Sequence, residues 1–162
     1  MSKKHRTASK AKRRYHADPS AIYRLMSAHQ DFTQDEQAAL VVPARLAFER
    51  IKSGAGQEDD FHCLAAACNV SLVSAEKISP LVESACLMAR DALLRCKERY
   101  TKTQRWGFDG PALGEIAEML DVYEQLVGLL KPRQLQDAMT EVLRRSKNGA
   151  GLEQPEFQLE NA

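Results

Sequence analysis

The sequence predicts an all-α fold, a single-domain helical bundle of five to seven helices built on a long antiparallel helical hairpin. Three observations predict it. Apolar residues recur at steps of three and four along most of the chain, and no stretch shows the strict alternation of a half-buried strand. Ser, Thr and Asp stand in front of these runs, several of them followed by proline, which is the start chemistry of helices. Aromatic residues are only 6% of the chain while Ala and Leu are plentiful, a composition suited to close helix packing.

Taken in order, residues 1–17 form a basic arm with almost no apolar content and no period, expected to be disordered when free. Residues 18–147 form the helical domain. Asp18-Pro19 reads as an N-cap with proline at the first helical position, and Ile22, Leu25 and Met26 give a short apolar stripe ending near His29. Thr33-Gln34-Asp35-Glu36 is a capping box. Beyond it Leu40, Ala44, Ala47, Phe48 and Ile51 keep one face to Ser53, so Pro43 is expected to kink one helix instead of separating two. Gly54-Ala55-Gly56 ends it.

The next helix is expected over about residues 57–69, with Glu58, Asp59 and Asp60 in the first turn and Phe61, Leu64, Ala65 and Cys68 buried. A separate short segment is expected at Ser71–Ser79. Ser79-Pro80 then starts the first long helix, whose broad apolar arc, from Leu81 to Tyr100, marks it as the expected spine of the core. The turn Arg105-Trp106-Gly107-Phe108-Asp109-Gly110-Pro111 follows, with its glycines and Pro111 expected to end one helix and start the next. Leu113, Ile116, Leu120, Tyr123, Val127 and Leu130 form the second long helix, opposite a row of Glu115, Glu118, Asp121 and Glu124. Lys131-Pro132 opens a last helix using Leu135, Ala138, Met139, Val142 and Leu143, and Asn148-Gly149 stops it. Residues 148–162 are expected to be a flexible tail.

A net charge of +1 conceals an asymmetry: residues 1–14 carry seven cations and no acid, and the remainder carries 16 basic and 22 acidic residues. No stretch approaches the roughly 18 apolar residues of a membrane span, and the basic start has no apolar segment behind it, so cytoplasmic residence is the expectation. Cys63, Cys68, Cys86 and Cys96 all fall in helical runs and read as reduced thiols acting as small hydrophobes.

The candidate nucleic-acid-binding residues are Lys3, Lys4, Arg6, Lys10, Lys12, Arg13 and Arg14, whose charges can neutralise phosphates without reading sequence. The candidate protein-binding residues are Arg105, Trp106, Phe108, Glu115 and Glu118. Here Trp106 either plugs the end of the hairpin or stays exposed as an anchor, and the acidic row is either a solvated face or a docking surface. One arrangement serves both readings, with Phe108 inward and Trp106 outward. His62 with the four cysteines lacks metal-ligand spacing, and His62 pairs more simply with Glu58 one turn earlier. Gly54-Ala55-Gly56 lacks the lysine of a phosphate loop. No catalytic residue, metal or cofactor is expected.

Over about residues 57–145 the chain resembles small proteins of proteobacterial prophages and related mobile elements. The likeness rests on Asp59-Asp60-Phe61-His62, on Arg105-Trp106-Gly107-Phe108 and on Pro132-Arg133-Gln134-Leu135. It implies a mobile-element setting in a bacterial cytoplasm and carries no activity or cofactor with it. The expected function is a non-enzymatic binding or regulatory protein whose basic arm meets nucleic acid or an acidic partner. The alternative is a protein-directed inhibitor or adaptor, of the anti-CRISPR kind or aimed at another host enzyme, working through the acidic helix face or the Trp106 turn. Self-association through the long amphipathic helices is open.

Overall fold

The computed structural model describes residues 30–148, and all regular structure among them is helical. Five helices follow in order: α1 Gln34–Lys52, α2 Glu58–Ala75, α3 Pro80–Thr103, α4 Gly110–Leu129 and α5 Pro132–Lys147. The arm, the expected helix at residues 18–29 and the tail from Gly149 onwards lie outside the described residues.

Local chemistry explains where each helix begins and ends. Thr33 caps α1: the Glu36 N–H donates to Thr33 Oγ1 at 3.3 Å while Glu36 Oε2 accepts from the Thr33 N–H at 2.9 Å. The helix runs unbroken through Pro43, which is exposed, so the carbonyl it leaves without a donor faces water. Its end is a Schellman motif: the Ala55 N–H donates to Arg50 O and the Gly54 N–H to Ile51 O, with Gly54 at φ +80°. Gly56 is needed for room, because a Cβ there would come within 2.5 Å of Ile51 Cγ1. Helix α3 starts at Ser79, whose hydroxyl accepts from the Leu81 N–H, followed by Pro80 at the first helical position.

Two expectations need correction here. Residues Ser71–Ala75 are not a separate segment; they continue α2 without a break. Asn69, Ser71 and Ser74 read locally as breakers, yet all three are buried, and Ser74 Oγ donates back to Val70 O at 2.9 Å. Packing overrides the local preference of these residues. The spine of the core is also α2, and not the first long helix. Twelve of its 18 residues are buried, and it packs against α1, α3, α4 and α5. Helices α3 and α4 pack on each other, α4 closes against α1, and α5 rests mainly on α2. Phe61, Leu64, Cys68, Cys86, Leu93, Cys96, Ile116, Met119, Leu120 and Val127 form the driest part of the core.

Candidate functional site

The turn between α3 and α4 is built from the residues before its glycines. α3 ends at Thr103, and Gln104 takes the left-handed conformation at φ 57°. Its N–H donates to Tyr100 O at 2.7 Å, and its side-chain Nε2 reaches Tyr100 O and Thr101 O. Gly107 and Gly110 do not terminate the helix as expected: neither has a positive φ, and a Cβ at either would meet nothing closer than 4.0 Å. Asp109 then caps α4, its Oδ1 accepting from the Ala112 N–H at 2.8 Å.

Between these caps the chain turns its aromatics inward. Trp106 is only 9% exposed and lies stacked with Tyr100 at 4.1 Å and with Phe61 at 4.7 Å between ring centroids. Phe108 is half-buried and stacks on Phe48 at 5.5 Å, with Lys52 Nζ 5.7 Å from the Phe48 ring. The arrangement with Phe108 inward and Trp106 outward is therefore corrected: Trp106 is the deeper of the two. A tryptophan sandwiched in this way is a plug joining α2 and α3, and its face is not available as an anchor. Arg105, beside it, is exposed.

The acidic row of α4 is likewise engaged. Arg95 on α3 donates from Nε to Asp109 at 2.9 Å and from Nη2 to Glu115 at 2.6 Å, which ties the turn to both of its helices. The guanidinium holds the Asp109 carboxyl below the usual carboxylate range, aided by the Ala112 N–H. Arg45 on α1 reaches Asp121 at 2.6 Å and Glu124 at 2.7 Å. Three of the four acids expected to form a solvated or docking face thus bridge α4 to its neighbours; Asp121 and Glu124 stay exposed while doing so, as does Glu118, and Glu115 is half-buried. Nothing local in the sequence signals these pairs, because Arg45 lies 76 residues from Asp121.

A third arginine is paired at the start of α2. Asp60 is buried, accepts from the Gln57 N–H at 2.9 Å and from Arg50 Nε at 2.7 Å, and is held below the usual range first by Arg50. His62 Nε2 stands 4.0 Å from Glu58 Oε1 on the same helix, the expected one-turn spacing. At the far end of α2, Arg145 of α5 grips both oxygens of Glu76 at 2.5 and 2.7 Å and also reaches Glu141.

The cysteines are free thiols. Burial pushes Cys68 up to about 12 and Cys86 up to about 11, the reverse of the shift a nucleophilic cysteine needs. Among the described residues no three His, Cys, Asp or Glu side chains come together to hold a metal ion, and no helix is long and apolar enough to cross a membrane. The seven candidate cations of residues 1–14 lie outside the described residues. Fold and site together define a helical bundle with its aromatic turn closed and its acidic face latched. No family model, curated protein or solved structure matches the chain.

Proposed function

We propose that this chain is a non-enzymatic binding or regulatory protein of mobile-element origin whose basic arm contacts nucleic acid without sequence preference. A contrast in charge carries the reading. Residues 1–14 hold seven cations and no acid, whereas residues 30–148 hold 15 basic and 18 acidic residues. Many arginines of the bundle are already engaged: Arg45 with Asp121 and Glu124, Arg50 with Asp60, Arg95 with Asp109 and Glu115, Arg145 with Glu76. Cations held by carboxylates have little left to offer a phosphate backbone. Those of the arm have no acid in their own stretch, and phosphates would take them up with release of counterions.

The mobile-element setting rests on the resemblance carried by Asp59–His62, Arg105–Phe108 and Pro132–Leu135. In this reading the hairpin of α3 and α4 is the frame of a bundle that carries the arm. Affinity for duplex DNA, measured across a salt series with and without residues 1–14, tests the proposal. We expect the full chain to lose affinity steeply with salt, with a log–log slope steeper than that of the truncated chain by up to about 6. Affinity that is insensitive to salt, or unchanged by the truncation, removes the arm from the mechanism and turns attention to an acidic protein partner.

A further inference from the structure

Helix α1 has two apolar faces. One faces the core through Val41, Ala44, Ala47, Phe48 and Ile51. At 100° per residue, Ala38, Ala39, Val42 and Leu46 gather on the opposite side of the cylinder. All four are exposed, Val42 by 47% and Leu46 by 51%. The stripe is bounded by Asp35 at one end and Glu49 at the other, both exposed.

We propose that this outward face of α1 is the docking surface for residues 18–29 of the same chain. Four arguments select this occupant. The connection is short: residues 30–33 alone separate the expected end of that segment at His29 from the start of α1, and helix connections of this length join antiparallel neighbours. The register fits, because folding back about this connection sets Leu25 and Met26 beside Ala38 and sets Ile22 between Ala39 and Val42. The segment also needs a face: a helix of eleven residues from Pro19 to His29 is too short to hold in water without packing.

The fourth argument is charge. A second copy paired antiparallel about Val42 sets Asp35 against Glu49, and one paired parallel sets each acid against itself. Residues 18–29 instead carry a single acid, Asp18, beside the cation Arg24, so they meet the two acids of the stripe without that like-charge pairing. The inference goes beyond the proposed function and does not depend on nucleic acid. It bears on where the arm leaves the bundle, which becomes the end carrying Lys52, Phe108 and Arg105, since Phe48 stacks on Phe108 there.

Hydrogen exchange of the full chain, with sedimentation velocity alongside, tests it. In the wild type, amides of residues 22–29 are expected to exchange at least about tenfold slower than unstructured chain. Val42→Asp with Leu46→Asp abolishes that protection, while the α2 amides from Phe61 to Leu72 keep theirs. Ile22→Asp with Leu25→Asp alters none of the five described helices and gives the same loss, which keeps the test decisive should the α1 variant misfold. Unprotected amides at 22–29 in the wild type overturn the proposal and leave the face for an external partner. Protection that persists in both variants overturns it too. A dimer that the α1 substitutions dissociate, with no change at residues 22–29, assigns the face to a second copy.

Discussion

Trp106 is the residue on which the hydrophobic end of the bundle turns. Its ring lies against Tyr100 of α3 and Phe61 of α2, so truncation removes contacts on two elements at once. Trp106→Ala is expected to cost about 3–5 kcal/mol, read from chemical denaturation, with helical content retained below the transition. A loss under about 1 kcal/mol would mean that the stack contributes no more than a surface contact. As the sole tryptophan, it also reports on the core: its emission is expected to be blue-shifted in the native state and to move to the red together with the helical signal. Ser71 makes the opposite case. Its hydroxyl is fully buried in α2 and has no hydrogen-bond partner among the described residues. Ser71→Ala removes a desolvated polar group without opening a large void, and is expected to leave stability unchanged or raise it by about 1 kcal/mol. Destabilisation beyond that range in the same denaturation assay would reveal a partner for the hydroxyl.

At the scale of the element, sequence and structure agree where capping chemistry is local and part where packing decides. The Thr33 box, the Ser79-Pro80 start and the Gly54 stop could all be read directly, because each helix end is satisfied by residues within five positions of it. Pro43 was legible for a related reason: the apolar phase of α1 is the same on both sides of it. Proline in a helix interior costs about 3 kcal/mol through a lost hydrogen bond and a clash with the preceding turn. Pro43→Ala restores the donor toward Ala39 O at an exposed position, so a gain of about 1–3 kcal/mol in unfolding free energy is expected. A loss would mean that the bundle is fitted to the bend. The continuation of α2 through Ser71 and Ser74 was not legible, since its cause lies in the four helices around it. The engagement of the α4 acids was hidden likewise: the sequence showed Glu115, Asp121 and Glu124 as one acidic row but could not say that Arg95 and Arg45 would meet them.

For the whole molecule, paired carboxylates set the response to acid. Arginines hold Asp60, Glu76 and Asp109 below the usual range, and Arg144 and Arg145 hold Glu141 down to about 2. A depressed native pKa adds stability that is present above the ordinary carboxylate range and is lost as pH falls through the native values. Denaturation midpoints are therefore expected to be level from about pH 5 to 8 and to fall as the pH drops from about 4 to 2. On the alkaline side the sign reverses. Cys68 and Cys86 stay protonated in the fold to about 12 and 11, so stability declines as unfolded thiols ionise above the ordinary value of 9.0. A midpoint unchanged between pH 5 and 3 would show that these ion pairs are too solvated to matter. The enclosure of α2 has a consequence of another kind, in the timing of synthesis. Helix α2 is complete at Ala75, but two of the four helices that cover it, α4 and α5, end at Leu129 and Lys147. At roughly 5–20 residues per second a ribosome needs about 4–14 s to make the intervening stretch. Throughout that interval the helix that ends up most buried has open sides, so the bundle closes late and as a unit, and the unfinished chain is the form most exposed to chaperones and proteases.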